Sequence, residues 1–315
     1  MPGLNQGTTN TYLPEIPAGV ALPANTLNIA MAFDRAYAAH AAVVIASAVR
    51  YLPPGAARIL CLHDGIDAEY RGKVELAAPG HAFLWVEVSA QDMPDMPEKG
   101  HINRISLFRL GLERFAPADW SRVIYLDSDL VIAADLTPLW SADLEGNPIG
   151  AVADVYQKPD ILQARFSLPP PRNNLYFNAG VLVIDLDAVR KTGDLASCLQ
   201  FLIDKEFDLE FLDQDALNIA FWNRWAPLTG AWNVQRYLRR NDPLRRSWHP
   251  FRQPAIIHYI TRDKPWTRTV WHPWAGAYWS VLRATPFAKE VAARYGVTWL
   301  DRLRIRLRYW ASFIL

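Results

Sequence analysis

The sequence predicts an α/β protein with a mostly parallel central sheet flanked by helices. Short apolar runs alternate with segments of helical spacing, and several runs stop at an aspartate, as buried strands do at their carboxyl ends. With 315 residues, 51% of them hydrophobic, the chain can bury a sizeable core in one large domain or in two modest ones. Its formal net charge of +1 gives no indication of a nucleic-acid partner.

The first half of the chain alternates strands and helices regularly. Residues 27–33 form an apolar run that ends at Asp34, and residues 38–52 have the small and β-branched composition of a helix packed on a sheet. The remaining elements of this half are strands predicted over 57–63, 81–88 and 123–126 and a helix over 104–115.

The second half is less regular. Its predicted elements are strands over 149–155, 179–186 and 255–260 and helices over 188–205 and 213–221. Because no linker follows residue 26, we expect the two halves to share one continuous sheet. The predicted organisation is a flexible leader over 1–26, a main domain over 27–285 and a C-terminal segment over 286–315.

The leader and the cysteine content predict a cellular compartment. Residues 1–25 contain no positive n-region and no apolar h-region, so they do not resemble a signal peptide. The two cysteines, Cys61 and Cys198, are too few for a disulfide framework and fit a reducing compartment. We therefore expect a cytoplasmic protein.

Aspartates follow two of the predicted strands. Asp34 and Asp127 both stand at the carboxyl ends of apolar runs, where parallel sheets bind their ligands. Asp127 and Asp129 can together reach one divalent cation, and such a cation can bridge a diphosphate. A solvated turn or a helix cap explains the same pair of carboxylates, so both interpretations stay open.

Two other strands are bordered by polar residues. His258 follows an apolar run, and Lys264 comes six residues later, which offers a nitrogen ligand for a metal and a cation for phosphate. Asn178 and Gly180 open a strand, where glycine lets backbone approach a ligand while asparagine supplies a donor and an acceptor. A structural histidine and an ordinary turn are the competing interpretations.

A polar cluster begins the helix predicted over 213–221. It contains Asp213, Gln214 and Asp215, of which Asp213 could serve only as an N-cap. Together, and in this order, the four polar segments resemble glycosyltransferase family 8, the retaining transferases that use nucleotide-sugar donors. The sequence is most similar to the bacterial lipopolysaccharide galactosyl- and glucosyltransferases, over roughly residues 27–275. The resemblance implies a GT-A fold with a Rossmann-like sheet and a small C-terminal helical extension.

The resemblance also implies roles for individual residues. It implies a manganese ion, with magnesium as the alternative, bound by Asp127, Asp129 and His258. Nucleotide contacts are implied for Ala32, Asp34, Tyr37, Ser128 and Lys264, with Asp34 accepting from the uracil N–H. Contacts with the donor sugar are implied for Arg109, Asp154, Asn178, Asp213 and Gln214, and the acceptor region includes His101, Phe211 and Thr261.

The sequence departs from the family pattern at two places. Arg35 and Ala36 replace Asp or Asn in the first segment, which affects the expected ribose contact. Thr261 replaces a glycine after His258, and a β-branched residue tolerates positive φ poorly. We therefore expect a differently shaped diphosphate loop, or an added hydroxyl contact.

The implied reaction moves a galactose or glucose from a UDP-sugar to a sugar hydroxyl of lipopolysaccharide or another surface glycan. Retention requires a protein nucleophile or front-face attack guided by the leaving phosphate. Gln214 lies where a nucleophile is expected, but an amide oxygen is a poor one, and Asp213 and Asp215 are stronger nucleophiles of unknown reach. Front-face attack with electrostatic support from Gln214 is the favoured hypothesis.

Two other functions are compatible with parts of the pattern. A UDP-sugar nucleotidyltransferase would usually carry a glycine-rich phosphate loop near its N-terminus, and residues 27–35 contain no glycine. A non-catalytic nucleotide-sugar-binding protein would need none of the three expected metal ligands.

The C-terminal residues predict a membrane contact. Residues 299–315 carry four arginines against one aspartate, with apolar and aromatic residues on one helical face, as in helices that lie on anionic bilayers. A helix docked on the main domain and a strand are the alternatives. The 13 tryptophans concentrate after residue 220, which predicts that several meet sugar faces or lipid. Those in question are Trp232, Trp266, Trp271, Trp274, Trp279, Trp299 and Trp310.

Overall fold

The computed structural model describes residues 26–93, 104–204, 209–235, 254–260, 264–268, 272 and 274–314. The strands in chain order are β1 (Leu27–Ala32), β2 (Ala57–His63), β3 (Ala82–Glu87), β4 (Arg122–Leu126), β5 (Leu130–Ile132), β6 (Ile149–Ala153), β7 (Phe177–Asp185), β8 (Trp225–Pro227) and β9 (Ile256–His258). Seven of them form one sheet in the order β3-β2-β1-β4-β7-β6-β8, and β5 pairs with β9 in a second.

Helices cover both faces of the large sheet. The α-helices in chain order are α1 (Ala38–Val49), α2 (Ala68–Glu75), α3 (Leu112–Phe115), α4 (Thr137–Trp140), α5 (Asp160–Phe166), α6 (Leu186–Thr192), α7 (Asp194–Asp204), α8 (Leu212–Ala220), α9 (Ala275–Leu282), α10 (Ala288–Arg294) and α11 (Trp299–Ile314). Two 3-10 helices span Arg104–Gly111 and Gly230–Trp232. One hydrophobic cluster packs α1, α9 and the small sheet against one face, and a second packs α7 and α8 against the other. The predicted α/β class is confirmed.

The strand directions bring several polar segments to one edge of the sheet. β1 to β4 are parallel, whereas β7 runs antiparallel to both β4 and β6, and β6 is parallel to β8. The beginning of β7 therefore lies beside the end of β4, where the Asp127 N–H donates to the Gly180 carbonyl at 2.9 Å. Asp154, directly after β6, reaches the same edge and donates its N–H to the Tyr176 carbonyl.

The expectation of one continuous sheet is wrong for its last strand. β6, β7 and β8 do join the first half, but β9 pairs antiparallel with β5 outside the large sheet. On its other side β9 contacts Val234, whose carbonyl accepts from the His258 N–H at 3.0 Å. The short β5 begins directly after Asp129, and its pairing with β9 places Leu130 opposite His258.

Two predicted helices are interrupted. The segment predicted as a helix over 104–115 begins as the 3-10 helix Arg104–Gly111 and becomes α-helical only in α3. The segment predicted over 188–205 consists of α6 and α7, separated at Gly193, which has a φ of 67°. A left-handed residue of this kind ends a helix because it turns the chain out of the helical path.

The predicted C-terminal segment contains two kinds of structure. Phe287, Val291 and Val297 are buried in the same cluster as α1, so its first part packs on the main body. α11 is helical as predicted, and its Trp299 and Leu307 side chains are 66% and 61% exposed. Among the described helices, none combines the length and the apolar character needed to span a bilayer.

Candidate active site

A cavity of about 490 Å³ opens at the edge where β4 and β6 end and β7 begins. Among the residues that the sequence singles out, those lining it are Ala32, Asp34, Tyr37, Arg109, Asp127, Ser128, Asp129, Asp154, Asn178, Phe211, Asp213, Gln214, His258 and Lys264. Asp215 is not in the lining. His101 and Thr261 lie outside the described residues, so the structure gives no placement for them.

Three side chains at this edge form a cluster suited to a cation. One ligand atom from each of Asp127, Asp129 and His258 lies within 4.8 Å of the others. The Nε2 atom of His258 is 3.2 Å from Oδ1 of Asp129 and 3.9 Å from Oδ2 of Asp127. Two carboxylates and an imidazole are ligands that manganese and magnesium accept in proteins. These three residues therefore fit the cation that the sequence predicts.

Gly180 leaves room for this cluster. A Cβ atom built at position 180 would lie 2.2 Å from Cε1 of His258 and 2.8 Å from Oδ2 of Asp127. Both distances are below any normal van der Waals contact, so a side chain here would displace the imidazole or the carboxylate. The glycine thus permits the close approach of β7 to the histidine.

Arg109 connects two carboxylates of the cavity. Its side chain is buried, with Nη2 at 2.9 Å from Asp127 and Nε at 2.8 Å from Asp213. Nη1 donates to the Ala179 carbonyl at 2.6 Å. Burial raises the pKa of Asp213 to about 6, although the positive charge of Arg109 acts to lower it. The arginine fixes the direction of both carboxylates, and the raised pKa marks Asp213 as a candidate functional residue.

Lys264 stands beside the metal cluster. Its Nζ donates to Oδ2 of Asp129 at 2.6 Å and also to the Tyr259 carbonyl. Burial by itself would raise the pKa of Asp129, but Lys264 and His258 lower it below its usual range. Asp129 therefore stays ionised, and the lysine lies within reach of any anion that enters next to the cluster.

The loop after β1 lines the other end of the cavity. The Tyr37 N–H donates to Oδ1 of Asp34 at 2.8 Å, and burial together with Asp129 raises the pKa of Tyr37 to about 12. The departure at Arg35 has a local explanation, since its Nε pairs with Asp67 at 3.2 Å. The other departure, Ala36, offers its carbonyl to Arg294 of α10 at 3.1 Å.

A chain of hydrogen-bonded side chains connects Asp154 with His258. Oδ2 of Asp154 accepts from Asn178 at 3.1 Å and from Gln214 at 3.4 Å. Gln214 Oε1 in turn accepts from the Ala179 N–H at 2.9 Å. The chain continues through Asn233, a residue that no sequence motif marks, to the imidazole of His258.

The three polar residues at the start of α8 have different surroundings. Asp213 and Gln214 line the cavity, and Leu212 before them has a φ of 31°, which is sterically costly for a residue with a Cβ atom. Both oxygens of Asp215 are engaged, by the Tyr176 hydroxyl at 2.6 Å and the Phe211 N–H at 2.9 Å. Asp215 thus holds the start of α8 in place.

Eight further residues line the cavity without having been predicted there, namely Phe33, Ile105, Ser106, Tyr125, Tyr156, Gln157, Ala179 and Ile260. Most are close in sequence to a predicted residue, and that proximity is the only signal that could have found them. None of the named tryptophans whose side chains are described lines the cavity, where phenylalanine and tyrosine side chains are found, and Trp271 and the side chain of Trp310 lie outside the described part. Trp266 instead stacks on His40, with ring centroids 3.7 Å apart.

Fold and site together define an α/β protein of the GT-A type with an Asp-Asp-His cluster at the edge of its sheet. The chain belongs to glycosyl transferase family 8, whose family model matches residues 28–270.

Several curated proteins are similar to this chain. The lipopolysaccharide 1,3-galactosyltransferase of Salmonella typhimurium is 27% identical over 262 residues, which cover 81% of this chain and 75% of that protein. General stress protein A of Bacillus subtilis is 28% identical, over 65% of this chain and 74% of that protein. Glycosyltransferase GlyF of Streptococcus pneumoniae is 31% identical over 58% of this chain, and the match spans 44% of its length.

Solved structures share the fold. The galactosyltransferase LgtC, in a complex with donor and acceptor sugar analogs, superposes with a TM-score of 0.63 at 24% identity, covering 89% of this chain and 100% of that one. The bifunctional glycosyltransferase WbbM has a TM-score of 0.70 at 21% identity, covering 88% of this chain and 53% of that one. The likeness shows the GT-A fold.

Proposed function

We propose that this family 8 glycosyltransferase moves galactose or glucose from a UDP-sugar to a hydroxyl of a glycan or lipid-linked oligosaccharide, with retention at the anomeric carbon. The observation that carries the proposal is the single cavity in which the cation cluster, Lys264 and the polar set around Asp154 meet. Similarity to a lipopolysaccharide 1,3-galactosyltransferase and a lipopolysaccharide 1,2-glucosyltransferase supports a hexose donor and a surface-glycan acceptor.

Asp127, Asp129 and His258 would hold the divalent cation, Mn²⁺ or Mg²⁺. The fit rests on their mutual distances within 4.8 Å and on the space left by the missing side chain of Gly180. When bound, such a cation neutralises negative charge that develops on a departing diphosphate. The protein must hold each carboxylate in the orientation that binds the cation. Arg109 does this for Asp127 through their ion pair.

Lys264 and the β1 loop would bind the rest of the nucleotide. Lys264 supplies a positive charge beside the cluster, where it stabilises a diphosphate leaving group. Asp34 would accept from the uracil N–H, since the hydrogen bond from the Tyr37 N–H already fixes the orientation of its carboxylate. The Tyr37 ring offers a flat face in the same cavity.

Retention by front-face attack agrees with the state of the three candidate nucleophiles. Gln214 Oε1 accepts from Ala179, Asp213 is paired with Arg109, and both oxygens of Asp215 are engaged. A hydrogen-bonded or ion-paired oxygen is a weaker nucleophile than a free one. We therefore propose that the leaving phosphate guides the acceptor hydroxyl, with Gln214 as electrostatic support. Trapping a glycosyl adduct on the wild-type protein would overturn this mechanism.

The proposed donor and metal dependence are tested by UDP release from UDP-galactose and UDP-glucose with and without Mn²⁺. We expect release to require the cation and to fall by at least about 100-fold in Asp127→Asn, since the variant loses one anionic ligand. Asp187→Asn, a change at an exposed aspartate in the first turn of α6, is the matched control and should leave release unaltered. UDP release that depends neither on Mn²⁺ nor on the Asp127→Asn substitution would contradict the proposal.

We further propose that the enzyme works in the cytoplasm at the inner face of an anionic membrane, to which α11 attaches it peripherally. Four apolar side chains of this helix are between 45% and 66% exposed, namely Trp299, Leu300, Leu303 and Leu307. Arginines alternate with them at positions 302, 304 and 306. A basic helix with exposed apolar side chains is suited to a bilayer surface, where a lipid-linked acceptor would be found.

A further inference from the structure

Asn233, a buried asparagine, joins the cation side of the cavity to the donor-sugar side. Its side chain is 2% exposed and follows the 3-10 helix Gly230–Trp232. Oδ1 of Asn233 lies 2.9 Å from Nδ1 of His258, and Nδ2 lies 2.9 Å from Oδ1 of Asn178. Because an unpaired amide atom in the interior is costly, both hydrogen bonds constrain how this side chain is turned.

The orientation of the Asn233 amide follows from its neighbours. A carboxylate only accepts, so the atom of Asn178 that faces Asp154 at 3.1 Å is its nitrogen. A backbone N–H only donates, so the atom of Asn178 that faces the Gly180 N–H at 3.0 Å is its oxygen. That same oxygen faces Asn233, which must therefore present its nitrogen to Asn178 and its oxygen to His258.

This orientation decides which nitrogen of His258 carries the hydrogen in the neutral ring. The oxygen of Asn233 can only accept, so Nδ1 is the protonated nitrogen. Nε2 then presents a lone pair to Asp129 at 3.2 Å and Asp127 at 3.9 Å. An imidazole that donates one ring N–H to a neighbouring acceptor presents its other nitrogen as a metal ligand, which agrees with the ligand role of the three residues.

We propose that Asn233 is a positioning residue that fixes His258 in its Nδ1–H form and so presents Nε2 to the divalent cation. Through Nδ2 it also ties the imidazole to Asn178, which contacts Asp154 on the donor-sugar side. The part of this inference that concerns the cation rests on the proposed function, whereas the tautomer follows from the hydrogen bonds alone.

Two substitutions separate the acceptor role of Asn233 from its bulk. Asn233→Leu keeps the size and removes both hydrogen bonds, while Asn233→Asp keeps an oxygen acceptor toward Nδ1 of His258. The Mn²⁺ affinity is measured by electron paramagnetic resonance of free Mn²⁺ in the presence of UDP. We expect Asn233→Leu to weaken binding by about 10- to 100-fold, and Asn233→Asp to stay within about threefold of wild type.

Asn218→Leu is the control for a general loss of rigidity. Asn218 is also buried, and it makes hydrogen bonds to both backbone groups of Phe177 without touching His258. We expect it to lower the thermal stability and leave the Mn²⁺ affinity unaltered. An equal loss of affinity in Asn218→Leu and Asn233→Leu would overturn the positioning role.

The tautomer is read directly from two-bond ¹H–¹⁵N spectra of the histidine rings without metal, with His258 assigned by its absence in His258→Gln. We expect the Nδ1–H pattern in wild type and its loss in Asn233→Leu. An Nε2–H pattern in wild type, or Mn²⁺ affinity unaffected by Asn233→Leu, would overturn the inference. A wild-type protein that binds no Mn²⁺ would instead overturn the metal part of the proposed function, because the tautomer spectrum does not depend on the cation.

Discussion

Gly180 stands where β7 passes the end of β4, beside both His258 and Asp127. We expect Gly180→Ala to displace the imidazole, because the added Cβ atom would lie 2.2 Å from its Cε1 atom. A misplacement of a catalytic group by about 1 Å can reduce the rate by about 100-fold, and we expect a loss of this order here. The measurement is Mn²⁺-dependent UDP release, with circular dichroism to check that the variant is folded.

Gly72→Ala is the matched control for that substitution. Gly72 lies within α2, and a Cβ atom built there meets nothing within 4 Å. We expect the control to keep full activity and to gain about 0.5–1 kcal/mol in the free energy of unfolding, since alanine is favoured over glycine in helices. Full Mn²⁺-dependent activity in Gly180→Ala would mean that His258 is not a ligand.

Single residues of the site are predictable where they directly follow a strand or belong to a segment that resembles the family. Asp127, Asp129 and His258 meet this condition, and the structure brings them together. Asn233 does not, because one asparagine beside a tryptophan carries no signal and its partners are 25 and 55 residues away. Asp215 shows the converse, since the sequence cannot tell a carboxylate that faces the cavity from one that caps its own helix.

At the scale of the elements, one hydroxyl group of α1 makes a hydrogen bond to the small sheet. Ser47 is fully buried, and its Oγ accepts from the Ile132 N–H at 3.0 Å while donating to the Val44 carbonyl. We expect Ser47→Ala to lower the free energy of unfolding by about 1–3 kcal/mol, because the Ile132 N–H is left buried without an acceptor. Urea denaturation measures this loss.

Ser197→Ala in α7 is the comparison for that prediction. Its hydroxyl also donates to a carbonyl one turn earlier, that of Gly193 at 2.7 Å, but the residue is exposed. We expect a change of less than about 0.5 kcal/mol, as is usual at exposed positions. Similar losses in both variants would show that the hydrogen bond to Ile132 contributes nothing.

The packing of α1 against α9 buries a histidine. Nδ1 of His40 lies 2.7 Å from the Tyr278 hydroxyl, and burial together with Arg294 lowers the pKa of His40 to about 3. Between this value and the ordinary pKa of 6.5, the unfolded chain binds a proton that the folded chain does not. The free energy of unfolding should therefore decrease as the pH falls below 6.5, by about 1.4 kcal/mol per pH unit.

His40→Phe should remove this contribution while keeping a ring against Trp266. Between pH 6.5 and pH 5, we expect wild type to lose about 2 kcal/mol more than the variant, as measured by urea denaturation at both pH values. Other titrating groups contribute equally to both proteins and cancel in the difference. Identical pH dependence in the two proteins would contradict a neutral, buried His40.

The order of secondary-structure elements is predictable from hydrophobic spacing, but strand direction and sheet membership are not. β7 resembles a parallel strand in sequence because it is buried on both faces, and only pairing with β4 and β6 shows that it is antiparallel. The apolar run over 255–260 likewise does not indicate which strand β9 pairs with, and that strand is β5. Both features depend on contacts between segments far apart in the chain.

At the scale of the whole molecule, α11 presents an apolar and basic surface to solvent. We expect wild type to cosediment with vesicles containing anionic lipid, and the triple substitution of Trp299, Leu303 and Leu307 by Gln to weaken this at least about tenfold, since the apolar area is lost. Binding should also weaken in 0.5 M NaCl, because each arginine near the surface contributes about 1 kcal/mol of electrostatic attraction.

The control for vesicle binding replaces exposed apolar residues elsewhere. Leu76→Gln with Ile161→Gln changes two side chains that are each 65% exposed and lie outside α11. We expect this variant to bind vesicles like wild type. Unaltered vesicle binding after loss of the three α11 side chains would refute membrane attachment through this helix.

The cavity draws its charges from distant parts of the chain, and this has a consequence for synthesis. Asp129 and its partner Lys264 are 135 residues apart, so the carboxylate leaves the ribosome long before the lysine. At 5–20 residues per second, the delay is roughly 7 to 27 s. At the start of that interval the nascent chain carries the carboxylates of Asp127 and Asp129 with Arg109 as the cavity's first cation, and Asp213 follows 84 residues after Asp129. Lys264, whose positive charge balances these carboxylates, is translated after every strand of the large sheet, and so is β9.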